Sequence, residues 1–337
     1  MTAGPAIRDV VTRDLREAVR PFARPSPARS LLQLAITLAG YVACWSLAWV
    51  SLRAAPIATP LFVAIAALFG VRLFILQHDC GHGAFFRSRG ANDLLGSLLG
   101  VLTVAPYHYW RRTHAMHHAA TNNLDRRGLG YMSLLTVDEY RALSPGRRRW
   151  YRLYRDVRFL VGFGVPFQFL VKHRLPLDVP RSWRAEWASV AFTNVGLVGL
   201  AVAAHATIGL RDFAIVHVPV LLGEAWVGGW LFWVQHTFPG AWHARDRDWD
   251  ATRAALDGSS WYDLPAVLDW FTGRIGLHHV HHLDARVPNY RLREALEAVP
   301  ELREVPRIGL RASLDTARLA LWDEREGKLV SFDEVGG

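Results

Sequence analysis

Apolar positions in this 337-residue chain gather into long uncharged runs instead of alternating with polar ones. Leu31–Leu52 is 22 residues without a charge, enough to cross a bilayer core of about 30 Å as a helix. After a break at Arg53–Pro56, Ile57–Leu76 is apolar except for Arg72. Ala188–Leu210 and Phe213–Gln235 form a second such pair, separated only by Arg211-Asp212. The runs Leu94–Ala105 and Phe159–Val171 are shorter than a span, and their length predicts interfacial or buried helices. The pattern predicts an all-α integral membrane protein with four transmembrane helices in two hairpins.

Charge orients the hairpins. Their tips carry Arg53 and Arg211, whereas the N-terminus, the 107–187 segment and the C-terminal region are rich in arginine. Basic residues collect on the cytosolic side, so these three regions are expected there, forming a cytosolic helical cap. The chain reads as one membrane domain: a cytosolic or interfacial N-terminus (1–30), a first hairpin (31–76), a cytosolic segment with interfacial helices (77–187), a second hairpin (188–235) and a cytosolic C-terminal region (236–337). Residues 1–28 lack a signal peptide's apolar core and cleavage site. Ile7, Val10, Val11, Leu15, Val19 and Phe22 recur there at roughly helical spacing, which suits a helix on the membrane surface or one docked on the cap.

Composition fits this reading. Hydrophobic residues make up 51% of the chain, with 14 Trp and 16 Phe, apolar for a soluble enzyme and polar for a bare bundle. The net charge of +9 follows from membrane topology, and no nucleic-acid partner is expected. The two cysteines, Cys44 and Cys80, form neither a disulfide framework nor a CxxC motif. That suits a reducing, cytosol-facing active side.

Ten of fifteen histidines fall into a pattern. His78 and His82 lie in QHDCGH; His114, His117 and His118 in RRTHAMHH; His236 in WVQHTF; His278, His279, His281 and His282 in GLHHVHHLDARVPNY. The offsets i,i+4 and i,i+3,i+4 place each cluster on one helix face, and imidazole suits Fe, Zn and Cu. Eight to nine ligands exceed the four of one tetrahedral zinc and suit two metals. The predicted topology puts all ten on one side of the membrane. His279 points off the shared face and is left out of the ligand set. His236 stands alone but emerges with the fourth span and is included. His173, His205 and His217 read as satisfied core residues, and His108 and His243 as supporting or loop residues. Glu224, within the fourth span, lies too far along the helix from His236 to share its metal, and reads as a polar contact between helices.

HDCGH, THAMHH and HHVHH resemble the three histidine boxes of the integral-membrane fatty acid desaturases. The QHTFP segment and the HHLDARVPNYRL tail are similar to the acyl-lipid branch, which includes the Δ12 (omega-6) enzymes. The resemblance covers roughly residues 70–295. It implies two non-haem irons bound by His78, His82, His114, His117, His118, His278, His281 and His282, with His236 matching an additional family histidine. It also implies O2 as co-substrate and electrons from a ferredoxin or cytochrome b5. With no fused cytochrome b5 motif in the sequence, the donor is expected to be a separate protein.

The chemistry fits an all-nitrogen shell. Removing hydrogens from an unactivated methylene pair calls for a metal and O2, the protein supplying position and exclusion. Soluble di-iron bundles use Glu-x-x-His pairs, and this chain has none. Asp79, Asn122, Asn123, Asp125 and Asp284 are candidates to receive the ligands' free N–H groups, or equally to serve as caps. A fatty acyl lipid tail would pass from the membrane along Trp226, Trp230, Phe232, Trp233, Tyr107, Tyr109 or Trp110, although interfacial aromatic belts look alike. Arginines such as Arg111, Arg112, Arg126, Arg127 and Arg147–Arg149 suit membrane lipid headgroups or an acidic donor. The expected reaction is O2-dependent desaturation of a lipid-linked fatty acyl chain. The rivals are a hydroxylase, acetylenase or carotenoid oxygenase on the same scaffold, or a metal transporter, which would place its ligands nearer the midplane.

Overall fold

A computed structural model describes residues 15–128, 130 and 132–336. The long apolar runs are helices, each extended by a turn or so beyond its uncharged core: α1 (Pro27–Ala54), α2 (Thr59–Gly81) and, later, α7 (Arg184–Thr207) and α8 (Leu210–His236). All four are long and apolar enough to cross a membrane. Pro27 and Pro60 start α1 and α2 within the first turn, where a missing N–H costs nothing. Gly209 makes the turn between α7 and α8 at φ +86°, a conformation that disfavours a side chain. Arg53 and Asp212 join the two hairpin tips at 2.5 Å.

Between the hairpins lie α3 (Arg89–Leu102), α4 (Tyr107–Ala120), α5 (Pro145–Arg155) and α6 (Val165–Leu170), the last preceded by a π-helical turn at Leu160–Gly164. After α8 come α9 (His278–Leu283) and α10 (Leu292–Ala298) among shorter helical turns. Sheet is confined to the cap. The strand Leu321–Asp323 pairs in parallel with Leu135–Thr136 and antiparallel with Lys328–Val330, and Trp261–Asp263 pairs with Arg307–Gly309.

The four spans are not equivalent. Over the most apolar 18-residue stretch of each, only 17% of α1 and 22% of α7 is buried within the protein, against 50% of α2 and 39% of α8. Helix α8 packs along α2 far more than against its own hairpin partner α7, which lies on α4 instead. Helices α2 and α8 are thus the inner pair, and both end in histidines. The main core cluster runs from α2 and α8 into the cap. Leu15 and Val19 are buried in it, so this part of the N-terminus docks on the cap; Ile7, Val10 and Val11 lie outside the described residues.

Candidate metal centre

Helix ends deliver the donors. His78 occupies the last turn of α2 and His82 its C-cap; His236 ends α8. Helices α4 and α9 carry the two HxxHH triplets. Nine of the ten patterned histidines converge, and they form two groups. His78, His82, His114, His118 and His281 make one; His117, His236, His278 and His282 make the other. Within each, one ring nitrogen per residue lies within 4.8 Å of all the rest.

The triplets divide between the groups. In α4 the i,i+4 pair His114/His118 joins the five-histidine group while His117 joins the four. In α9 the i,i+4 pair His278/His282 joins the four-histidine group while His281 joins the five. Neighbouring positions on a helix are about 100° apart, so i+3 and i+4 lean to opposite sides of one face. Each triplet therefore spans both centres.

The Nε2 atoms meet edge to edge. His78 and His281 stand 3.1 Å apart, His118 and His114 3.1 Å, and His281 and His118 3.0 Å. In the other group His117 and His236 stand 3.1 Å apart, His278 and His236 3.0 Å, and His282 and His278 3.0 Å. A neutral imidazole has one ring proton, and His236 presents its Nδ1 to the Gly258 carbonyl at 3.3 Å, leaving a lone pair on Nε2. Such convergence of lone pairs asks for cations. Nitrogens about 2.1 Å from one metal lie about 3.0 Å apart at a right angle and about 3.4 Å apart at the tetrahedral angle. The observed 3.0–3.1 Å spacing is short enough for the nitrogens of each group to share one metal. His82 Nε2, buried without a hydrogen-bond partner, is another donor atom awaiting an acceptor of its lone pair.

Burial holds the cluster neutral. His82, His114, His117, His118, His278, His281 and His282 all have pKa values well below the ordinary 6.5, chiefly through desolvation and then through neighbouring imidazoles. Deprotonated rings are the metal-binding form.

The residues predicted to receive the ligands' N–H groups divide sharply. Asp79 does lie by a donor: Oδ1 is 3.4 Å from His78 Nδ1, and Oδ2 accepts from the Asn289 backbone N–H and side-chain amide, both at 2.8 Å. It ties α2 to the VPNY tail of the third box. Asn122 acts one step removed, donating to the same Gly258 carbonyl at 2.9 Å. Asn123 bonds to Asp246, Asp125 to Arg245, and Asp284 to Arg286; these fasten loops. Thr121, with its hydroxyl 3.4 Å from His282 Nδ1, and the Gly258 carbonyl carry no sequence signal that would single them out.

The remaining histidines lie outside both groups. His279 is buried but turned toward Trp261, 6.4 Å away between ring centres, as its helical angle implies. His173 and His217 are buried, but both ring nitrogens of His217 lack a hydrogen-bond partner, and His205 is exposed on the apolar surface of α7. Glu224 Oε2 makes no hydrogen bond between helices. It lies against Gly70, where a Cβ would come within 2.6 Å of it. His108 sits on α4 outside both groups, while His243 lies tilted beside Trp322 with ring centres 4.9 Å apart. Of the aromatic residues, Phe232 lies beside His117 at 5.1 Å, and Trp110 stacks on His114 at 4.5 Å. Tyr107, Tyr109 and Trp233 are packing residues instead, with Tyr107 donating to the Cys80 carbonyl at 2.9 Å.

Four bilayer-length helices, the inner two ending at two groups of convergent imidazoles, define an integral-membrane protein with a candidate histidine-box metal site. The chain belongs to the fatty acid desaturase family, whose model matches residues 54–311. It is 41% identical over 323 residues to a "Fatty acid desaturase" of Bacillus subtilis (strain 168), covering 96% of this chain and 91% of that protein. It is 28% identical over 305 residues to an "sn-1 oleoyl-lipid 12-desaturase" of Anabaena variabilis, with 88% and 82% coverage. An "sn-1 acyl-lipid omega-3 desaturase (ferredoxin)" of Nostoc sp. (strain 36) is 28% identical over 254 residues, covering 71% of this chain and 67% of that protein. The chain is a desaturase enzyme embedded in a membrane.

Proposed function

We propose that this desaturase inserts a double bond into a fatty acyl chain carried by a membrane lipid, using two irons, O2 and an external one-electron donor such as a ferredoxin or a cytochrome b5. The observation that carries the reading is the division of nine imidazoles into two groups whose neighbouring ring nitrogens lie 3.0–3.1 Å apart. The metal ligands are then His78, His82, His114, His118 and His281 on one side, and His117, His236, His278 and His282 on the other. Imidazole is a good ligand for iron, and nine donors are more than one four-coordinate zinc takes. Bound iron supplies the O2 chemistry that removes two hydrogens from adjacent methylenes. Two electrons and two protons from outside complete the reduction of O2 to water.

The protein's part is placement. Phe74 meets Trp110 at 5.3 Å and Phe169 at 5.8 Å, and Trp110 stacks on His114. With Phe232, these rings form an apolar wall between the inner spans and the imidazoles, suited to hold an acyl chain and keep water out. The names of the Anabaena and Nostoc relatives support a lipid-linked substrate, and the Nostoc name supports a ferredoxin donor. The arginine-rich cap supports a cytosolic active site in a bacterial-type inner membrane.

The test is expression in a host of known lipid composition, with product profiling by gas chromatography and iron quantitation on anaerobically purified protein. New olefins and about two irons per chain are expected. Hydroxylated products alone, or a single metal, would overturn the proposal. His114→Ala and His281→Ala should lower turnover about 10–100-fold while leaving membrane insertion unchanged.

A further inference from the structure

Arg72 lies inside the apolar run of α2, where a cation is costly unless polar groups surround it. Its Nε donates to Thr37 Oγ1 at 3.2 Å and its Nη2 to Gln33 Oε1 at 2.8 Å, both on α1. Its other partner comes from far along the chain. Nη1 donates to the Trp270 carbonyl, and the guanidinium carbon stands 4.1 Å from the centre of the Trp270 ring. Part of the C-terminal region has thus come up beside the spans to meet this charge.

The spans mark its depth. Followed back from the third box, the chain climbs α2: His281 meets His78 at 3.1 Å, a Cβ on Gly273 would come within 2.7 Å of Ile75, and Phe271 and Trp270 meet Phe69 with ring centres 5.0 and 5.9 Å apart. Phe69 is seven residues inside the Leu76 end of the apolar run, about 10 Å at 1.5 Å per residue. A Cβ on Gly40 of α1 would come within 2.2 Å of the Phe69 ring, and Gly40 is nine residues inside the run that starts at Leu31, about 14 Å. At this level α1 carries Leu32 and Ile36 on its outer surface, 60% and 46% exposed. Two spans therefore give one answer.

The segment is built for that depth. Pro265 and Ala266 are exposed, as are Val267 (66%) and Trp270 (36%), while the one charge in the short helix Ala266–Phe271, Asp269, is buried and accepts from Arg293 at 3.0 Å. Backbone in hydrocarbon must find its partners internally. Here the Asp269 N–H donates to the Pro265 carbonyl, that of Thr272 to Leu268 and that of Arg274 to Asp269. We infer that Pro265–Phe271 is a re-entrant wedge. It enters the leaflet adjoining the cap and presents Pro265, Ala266 and Val267 to the lipid acyl chains, continuing the lipid-facing surface of the spans it packs on. The stretch is far too short to cross a bilayer, so hydropathy alone leaves it in the cap. The inference rests on the spans crossing a membrane and not on the proposed reaction.

The test places a fluorescent NBD group on Val267→Cys in the full chain, reconstituted in nanodiscs of phosphatidylcholine brominated part-way along its acyl chains. Val195→Cys, 72% exposed at the middle of α7, is the lipid reference, and Arg325→Cys, with its side chain 81% exposed on the cap, is the water reference. The unsubstituted chain, carried through the same labelling, corrects for Cys44 and Cys80. The label at Val267 should emit to the blue of that at Arg325 and lose emission to bromine as the label at Val195 does, with none lost at Arg325. Ala266→Cys should behave in the same way and serves if Val267→Cys does not accumulate. Quenching at both wedge positions no greater than at Arg325 would overturn the wedge. So would reaction of both with a membrane-impermeant maleimide as fast as at Arg325.

Discussion

The five- and four-histidine groups share α4 and α9 but are held differently. The first draws a pair from the end of α2, a pair from α4 and a single residue from α9. The second draws a pair from α9 and single residues from α4 and α8. One group is thus anchored twice by i,i+4 pairs, whose spacing a helix fixes by itself. The other has one such pair, two single donors and no fifth imidazole. A site assembled from single donors is more exposed to any one loss.

The largest effect should follow from substitutions in the smaller group. His236→Ala or His117→Ala leaves three imidazoles there, and iron content is expected to fall from about two to about one per chain, with activity down about 10³-fold or more. Metal analysis and product profiling check this; two irons retained in both variants would dissolve the distinction between the groups. His82→Ala leaves four imidazoles in the larger group, the number that the intact smaller one has. It should keep much of its metal and lose activity about 10–100-fold, measured by the same pair of assays. A complete loss of both metals would mean that the groups are not independent.

A smaller change is expected at Asp79→Asn, which removes the carboxylate charge beside His78 and weakens the clasp to Asn289. Metal affinity of the larger group should fall about 10–100-fold in a chelator competition, with the smaller group unaffected. The smallest belongs to His279. It is fully buried yet outside both groups, so His279→Gln should cost about 1–3 kcal/mol of stability and release no metal. Loss of iron in that variant would place His279 in the shell.

Much of this was legible in the sequence because the signals are local. A 22-residue uncharged run is a span wherever it packs, and HxxHH on a helix presents its histidines to one side. Glu224 and His205 show where local rules stop. A carboxylate in a span suggests a partner helix, but Gly70 presents only backbone to it. His205 in an apolar run suggests a core position, but α7 is an outer span and carries it on the exposed side. Asp284 and Asp125, close in sequence to ligands, face arginines of their own loops or of a neighbouring one, because proximity along the chain does not fix direction.

By itself the sequence determined the inventory: four spans, nine donors of one chemical kind, and an absence of carboxylates in Glu-x-x-His spacing. Only the tertiary structure decided the partition. His78 and His281 are separated by 203 positions in the chain and by 3.1 Å in space. Their meeting depends on α2 and α8 packing as the inner pair and on α9 docking across their ends. Helical periodicity sets the angle at which a histidine leaves its own helix; the packing of several helices sets which other histidines it meets there.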